Sequence, residues 1–123
     1  QQMPPSNILV SLALILTFFI MEPVATKSYD TAVKPYLAKQ MGYQEAFTKA
    51  VEPFKSFMIR NTREKDLALF FRIRKLENPK NIQDVPLTVA VPAFMISELK
   101  TAFEIGFLLY LPFLVIDMVV ASV

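Results

Sequence analysis

Residues 92–123 read PAFMISELKTAFEIGFLLYLPFLVIDMVVASV, a stretch that opens on proline and consists mainly of large apolar side chains. Twelve consecutive residues, 105–116, carry no charge, and Asp117 is the one charged side chain after them. Pro92 suits the first turn of a helix, and Pro112 predicts a kink or a break further along. The stretch therefore predicts a Pro-broken hydrophobic helix, long enough to supply the roughly 20 residues of a bilayer crossing.

Charge is segregated along the whole chain of 123 residues. Of its 24 charged side chains, 23 lie between Glu22 and Glu104, and the first 21 residues carry none. Hydrophobic residues make up 54% of the sequence. Two apolar ends around a charged middle favour a membrane or membrane-assembly protein over an ordinary soluble domain.

The first apolar end, residues 8–21, reads ILVSLALILTFFIM. These fourteen residues are short for a bilayer span, but residues 5–7 and Val24 extend the stretch to nearly that length. Pro5 fits the start of a helix and Pro23 its end. A secretory signal peptide is one alternative, although no basic residue precedes the stretch, and a buried core helix is another. A membrane-spanning or membrane-assembly helix is favoured.

The composition excludes several classes of functional site. The sequence contains no Cys and no His, which excludes a disulfide scaffold, a Cys/His zinc site, a Ser-His-Asp triad and a cysteine nucleophile. Its two glycines, Gly42 and Gly106, cannot form a Gly-rich phosphate loop. The net charge of +2 is too small for a nucleic-acid surface. We expect no metal or other cofactor and no nucleic-acid partner.

The charged middle, residues 25–91, has apolar side chains at helical spacing. Pro53 predicts two shorter helices or a kinked one, and Asn61 with Glu64 resembles the capping box of a next helix. On that helix Arg63, Lys65, Arg72 and Lys75 are expected to face water. Residues 85–91 favour at most a short extended segment. The side chains predicted to form the domain core are Phe47, Val51, Phe54, Phe57, Leu67, Phe70 and Phe71.

Together these patterns predict a mainly α protein in which two hydrophobic helices flank a small helical domain. The predicted segments are a hydrophobic helix at 1–24, a charged helical domain at 25–91, and a Pro-broken hydrophobic helix at 92–123, truncated at its end. The chain begins at Gln1 and stops at Val123 within an apolar run. We therefore expect it to be a fragment of a longer membrane protein.

Charged side chains within or beside the second apolar helix are the candidates for function, because a charge in hydrocarbon costs about 3 kcal/mol. Lys100 and Glu104 are one turn apart and are expected to pair, whereas Glu98 and Asp117 have no obvious partner. The acids suit a general acid–base pair, an ion or proton relay, or contacts between helices and subunits. Contacts are favoured, since small and hydroxyl side chains lie beside them. The predicted intersubunit or pore-wall residues are Ser97, Glu98, Lys100, Thr101, Glu104, Gly106 and Asp117.

Four stretches resemble the FliP/SctR/YscR family, whose FliP members are core export-gate proteins of the flagellar type III secretion apparatus. Residues 92–107 (PAFMISELKTAFEIGF) and 112–122 (PFLVIDMVVAS) resemble its two signatures. Residues 16–24 (LTFFIMEPV) are similar to its preceding apolar helix, and residues 57–67 (FMIRNTREKDL) to the stretch between. The resemblance covers nearly the whole chain, in order and with matching spacing.

This resemblance implies a structural subunit and not an enzyme. Several copies of such a protein assemble with FliQ- and FliR-like partners into a pore for unfolded substrates, driven by a separate ATPase and the proton-motive force. In that assembly the apolar hairpins pack against one another, largely out of the lipid plane. The implied location is the bacterial inner membrane and the flagellar basal body, with the middle domain periplasmic. The family's Met-rich loop is expected after Val123.

Three alternatives stay open at this point. Residues 62–64 (TRE) favour the flagellar branch, but the injectisome homologues share much of the same pattern. A membrane ion-relay protein would use the same acids within its helices. An isolated interaction domain at 27–85 would present its basic face to a partner, since that region holds five more basic than acidic side chains.

Overall fold

The computed structural model describes residues 5–123, and these residues form helices joined by short turns, without a strand. The mainly α prediction, with two long hydrophobic helices, is confirmed. The elements in chain order are α1 (Ser6–Ser28), a π-helical segment (Tyr29–Val33), α2 (Lys34–Leu37), α3 (Tyr43–Arg60), α4 (Glu64–Ile73), a 3-10 turn (Ile82–Asp84) and α5 (Leu87–Ser122).

Two helical stretches of the described chain, Ser6–Leu37 and Leu87–Ser122, are long and apolar enough to cross a membrane. The 36 residues of α5 rise about 54 Å, whereas the hydrocarbon core of a bilayer is about 30 Å thick. A bilayer at ordinary helix tilt therefore has room for only part of α5.

Prolines lie inside three of the helices without ending them. α1 passes through Pro23 and ends at Ser28, so the prediction that Pro23 ends the helix is wrong. A proline removes one backbone hydrogen bond, and the N–H groups that follow still find acceptors, as Tyr29 does at Ala25 and Thr26. α3 likewise stays one helix around a buried Pro53.

The chain divides into two compact units, Gln1–Phe57 and Met58–Val123. In the first unit the Ser28 hydroxyl donates a hydrogen bond of 2.8 Å to the carbonyl oxygen of Ala50 in α3. Ala32 and Ala46 are buried in the same unit. Small side chains thus let the end of α1 and the π-helical segment approach α3.

In the second unit α4 packs against the first half of α5. Phe71 of α4 is buried with Val85, Val89 and Ala90, and three partly buried side chains pack around this cluster, namely Ile59, Leu67 and Phe70. The start of α4 contacts Glu104 through Arg63, while Phe71 near its end lies beside Val89. α4 therefore runs antiparallel to α5.

The predicted core residues differ in burial. Phe71 is 3% exposed, whereas Phe47 is 56% exposed and Phe54 is 37% exposed. The prediction of Phe47 and Phe54 as core residues is wrong for this chain, because the apolar stripe of α3 extends beyond the surface that its unit covers. Phe47 instead contacts the ring of Tyr43, with ring centroids 6.4 Å apart. Val51 and Phe57 are half-buried.

The expectation of at most a short extended segment at 85–91 holds only for Val85 and Pro86, because α5 begins at Leu87. The N–H groups of Val89 and Ala90 bond to the carbonyl oxygen of Pro86, which closes the first turn. Val89 is fully buried against Phe71, and this burial outweighs the preference of β-branched residues for strands. Pro92, predicted for the first turn of this helix, lies inside α5 instead, and α5 also continues through Pro112, so of the predicted kink or break there the break is absent.

Candidate functional site

The N-terminus of α4 has no side-chain cap of its own. Its N-cap residue is Arg63, whose side chain carries no acceptor, and no side-chain cap hydrogen bond forms there. The predicted capping box of Asn61 and Glu64 is wrong, because Asn61 lies in the turn before the cap and Glu64 is the first helical residue. The start of α4 must find its hydrogen-bond partners elsewhere.

Ser97 of α5 supplies the missing cap. The backbone N–H of Arg63 donates to Ser97 Oγ at 2.9 Å, and the same hydroxyl donates to Asp66 Oδ2 at 2.7 Å. In an ordinary capping box the side chain at the third helical position accepts directly from the N-cap N–H. Here Asp66 is at that third position, and the Ser97 hydroxyl of α5 bridges the Arg63 N–H and the Asp66 carboxylate.

Asp66 is the centre of the arrangement. Asp66 is 1% exposed, and its second carboxylate oxygen, Oδ1, accepts a hydrogen bond from Lys100 Nζ at 2.5 Å. The hydrogen bond from Lys100 holds the pKa of Asp66 below its ordinary value, with help from Ser97 and from the charge of Arg63, although burial acts in the opposite direction. Asp66 is therefore an ionised carboxylate with both oxygens paired.

The side chain of Arg63 forms a second connection. Its Nη2 atom donates to Thr101 Oγ1 at 3.2 Å and to Glu104 Oε1 at 2.8 Å. The side chains of this ion pair are 37% and 63% exposed, so water weakens the attraction between them. We call the whole set the polar joint: Arg63, Asp66, Ser97, Lys100, Thr101 and Glu104.

The polar joint corrects two expectations. The predicted pairing of Lys100 with Glu104 within α5 is wrong, since Lys100 binds Asp66 and Glu104 binds Arg63. The expectation that Arg63 faces only water is also wrong. Ser97 and Thr101 do form hydrogen bonds between helices, but within one chain. Their contact with a neighbouring subunit stays a prediction.

Glu98, Gly106 and Asp117 lie outside the polar joint. Both acids are exposed on α5, and neither forms an ion pair within residues 5–123. A Cβ atom added at Gly106 would meet no heavy atom within 4 Å, so the packing of this chain does not require glycine there. Gly106 lies in an open groove along α5 whose lining is almost wholly apolar: Leu99, Ala102, Phe103, Gly106, Phe107 and Tyr110.

The groove and the two acids, Glu98 and Asp117, provide few of the groups that bind a metal ion or a small-molecule substrate. In the described part of the chain no three acidic side chains gather where they could hold a metal ion. The groove also lacks the few convergent polar groups that orient a substrate. Its shape and apolar lining suit the side chains of a second helix instead.

Sequence reasoning missed Arg63 and Asp66 as functional candidates. One signal was present, because Asp66 precedes Leu67 and stands one turn before Phe70, on the apolar side of α4. A carboxylate on the packed face of an amphipathic helix needs a cation or hydroxyl partner. The identity of that partner, Lys100, depends on the antiparallel packing of α4 and α5.

The chain matches the FliP family over residues 1–123. It is 54% identical over 123 residues to the flagellar biosynthetic protein FliP of Bacillus subtilis (strain 168). This alignment covers 100% of the present chain and 56% of the Bacillus protein. It is 55% identical over 123 residues to the FliP protein of Caulobacter vibrioides, covering 46% of that relative. The FliP protein of Aquifex aeolicus is 45% identical over 124 residues, and the alignment covers 52% of that protein. The chain thus spans about half the length of these curated relatives.

Proposed function

Because the chain belongs to the FliP family, we propose that it is part of a structural subunit of the flagellar type III protein export gate. The structural observation that carries the proposal is α5, which is fixed to α4 at one end and exposes apolar side chains along the other. A helix of this kind serves as a wall element that a folded domain holds in place.

Several copies of the protein, together with FliQ- and FliR-like partners, form a pore for unfolded protein substrates in this proposal. The apolar helices α1 and α5 provide the contacts between subunits. Their exposed aromatic side chains support this assignment, since Phe18, Phe19 and Phe103 are 75%, 79% and 77% exposed in the single chain. Surfaces of this kind are covered by lipid or by protein in the cell.

Glu98 and Asp117 favour protein over lipid as the main cover of α5. Neither acid has an ion-pair partner in the described chain, and a lone carboxylate in hydrocarbon is costly. Neighbouring subunits with basic or hydroxyl side chains satisfy both acids. The groove at Gly106 supports the same view, because a small residue lets a second helix approach closely.

The proposed location is the bacterial inner membrane and the flagellar basal body, with the region between α1 and α5 on the periplasmic side. The subunit acts by binding and positioning its neighbours, and it catalyses no reaction. The gate is driven by other components, a separate ATPase and the proton-motive force.

Replacement of the two unpaired acids tests this proposal. Glu98→Gln and Asp117→Asn, made in the full-length protein, keep the side-chain shape and remove the charge. We expect co-purification of FliQ- and FliR-like partners to fall in both variants, with unfolding of the purified subunit unchanged. Glu52→Gln, at an exposed acid of α3, is the matched control and retains the partners.

Unchanged partner recovery with both variants would count against the assembly role. Ion flux through the purified single subunit in vesicles, lost on Asp117→Asn, would favour the ion-relay alternative.

A further inference from the structure

α4 has a second apolar face that points away from α5. Leu69 and Ile73 are 37% and 60% exposed, and Leu76, just beyond the end of the helix, is 44% exposed. Leu69 and Ile73 are four residues apart and lie on one side of α4, and Leu76 follows the turn that ends the helix. Four exposed basic side chains lie within four residues of them in the sequence. The outer α4 patch comprises Lys65, Leu69, Arg72, Ile73, Arg74, Lys75 and Leu76.

The cations of the outer α4 patch have no ion-pair partners in the described part of the chain. Lys65, Arg72, Arg74 and Lys75 are all exposed, and none of them pairs with an acid within residues 5–123. By contrast, Arg63 at the inner side of the same helix is paired. Three acids, Glu64, Asp66 and Glu77, stand close to the patch in sequence, and Asp66 is already paired with Lys100. The patch therefore combines an apolar centre with unneutralised positive charge.

Lys75 occupies a backbone conformation that normally favours glycine. Its φ is 57°, at the position where the Leu76 N–H bonds to the Phe71 carbonyl at 2.9 Å and closes the end of α4. A cation near a helix C-terminus is electrostatically favourable, but Arg72 and Arg74 already supply that charge. Lysine at this position costs conformational energy and adds a positive charge to the patch.

The position of the patch along α5 argues against lipid as its partner. Phe71, near the end of α4, packs against Val89, and sixteen residues of α5 separate Val89 from the start of the uncharged run at Ile105. That separation is about 24 Å along the helix, whereas the headgroup layer is only about 6 Å thick on each side. With residues 105–122 in a bilayer, the end of the patch at residues 72–76 lies beyond the headgroups, whereas its Lys65 end lies nearer to Ile105.

We propose that the outer α4 patch docks an acidic amphipathic segment of a partner protein. Apolar side chains of that segment sit on Leu69, Ile73 and Leu76, and its carboxylates face the surrounding cations. Apolar anchors give such a contact its affinity, while complementary charge speeds association and selects the partner. This surface uses different residues from the α5 contacts proposed for the pore wall.

A synthetic peptide tests the proposal directly. The probe is a helix-forming peptide with leucine at positions i, i+4 and i+7 and glutamate at most other positions, and its companion carries glutamine in place of glutamate. The full-length protein in neutral detergent is expected to bind the glutamate peptide, and more weakly as salt rises. The combined variant Arg72→Gln, Arg74→Gln and Lys75→Gln lowers the affinity about tenfold, if each charge contributes a fraction of the energy of an exposed ion pair.

A matched pair of single variants separates binding from folding. Lys75→Gly removes one charge and relieves the positive φ, so it keeps α4 folded while the affinity for the glutamate peptide falls. Lys39 at the end of α2 has a φ of 61° and a similar helix-ending bond, from the Gln40 N–H to the Pro35 carbonyl. Lys39→Gly is therefore the control, and it leaves peptide affinity unchanged.

Several results would overturn the proposal. They are absent binding of the glutamate peptide, equal binding of the glutamine peptide, or affinity unaffected by the triple variant. Binding to phosphatidylglycerol vesicles that is lost in the triple variant would assign the patch to lipid instead. Equal losses with Lys39→Gly and Lys75→Gly would show that overall charge, and not the patch, attracts the peptide.

Discussion

Asp66 and Lys100 stand 34 positions apart in the sequence and meet at 2.5 Å, the carboxylate buried and the ammonium half-exposed. This pair, with Ser97 beside it, joins the start of α4 to the middle of α5. Removing one partner of a buried charge costs more than the pair contributes, because the remaining charge is left unsatisfied. The first predictions follow from this asymmetry.

Ser97→Ala is expected to destabilise the protein by about 1–3 kcal/mol, since both the Arg63 N–H and Asp66 Oδ2 lose their partner in a buried place. The measurement is the free energy of unfolding of the full-length protein in detergent. Ser122→Ala is the control, because the Ser122 hydroxyl bonds only to the exposed Val119 carbonyl. Equal effects of the two substitutions would contradict the capping role of Ser97.

Acid is expected to weaken the fold through Asp66. The folded-state pKa of Asp66 lies below its ordinary value of 3.8, so the ionised form is favoured in the folded protein. The resulting stability is fully present above about pH 4 and is lost as the pH falls through the folded-state pKa. Asp66→Asn removes this contribution, so its unfolding free energy changes less between neutral and acid pH. Asp84→Asn is the control, and a wild-type acid response in Asp66→Asn would refute the assignment.

Truncation of Phe71 to alanine is expected to cost far more unfolding free energy than truncation of Phe47. Phe71→Ala removes a side chain that is 3% exposed and costs about 3–5 kcal/mol of unfolding free energy. Phe47→Ala removes one that is 56% exposed and costs about 1 kcal/mol or less. Unfolding of the isolated subunit measures both. Similar losses would mean that the stripe on α3 is covered after all.

The Arg63–Glu104 pair is expected to contribute little energy. A double-mutant cycle with Arg63→Gln and Glu104→Gln should give a coupling of about 1 kcal/mol or less, since both side chains are substantially exposed. The coupling should shrink further at high salt. A coupling of several kcal/mol that does not respond to salt would show that the pair is shielded from water.

Gly106→Leu is expected to separate folding from assembly. Leucine forms helices more readily than glycine by about 1 kcal/mol, and open space surrounds Gly106, so the subunit itself keeps or gains stability. Filling the groove should reduce co-purification of other subunits. Gly42→Leu, at the second glycine with open space around it, is the control. Normal assembly of Gly106→Leu would exclude the groove as a subunit contact.

Much of the fold is predictable from local patterns. The charge-free runs near each end predict the long apolar helices, because an uninterrupted apolar run is both long enough and apolar enough for a bilayer crossing. The boundaries are harder, since Pro23, Pro53 and Pro112 remain inside helices that sequence rules would end or break. One lost hydrogen bond is too small a penalty to stop a helix whose neighbouring turns are stable.

The candidate site is less predictable because its contacts are distant in sequence. Lys100 has Glu104 one turn away, yet it bonds to Asp66, whose buried carboxylate needs the cation more than an exposed one does. The residue types at 85–91 favour a strand, but Val89 and Ala90 pack beside Phe71 as part of helix α5. In both cases tertiary packing outweighs the local preference.

The hydroxyl that completes the start of α4 belongs to a residue made 31 positions after Asp66. While the ribosome is still extending the chain, α4 therefore has an unfinished end and a charge without its counterion. The start of α4 is completed only when α5 has emerged far enough to supply Ser97 and Lys100. Placement of α5 and completion of the start of α4 are thus coupled during biosynthesis.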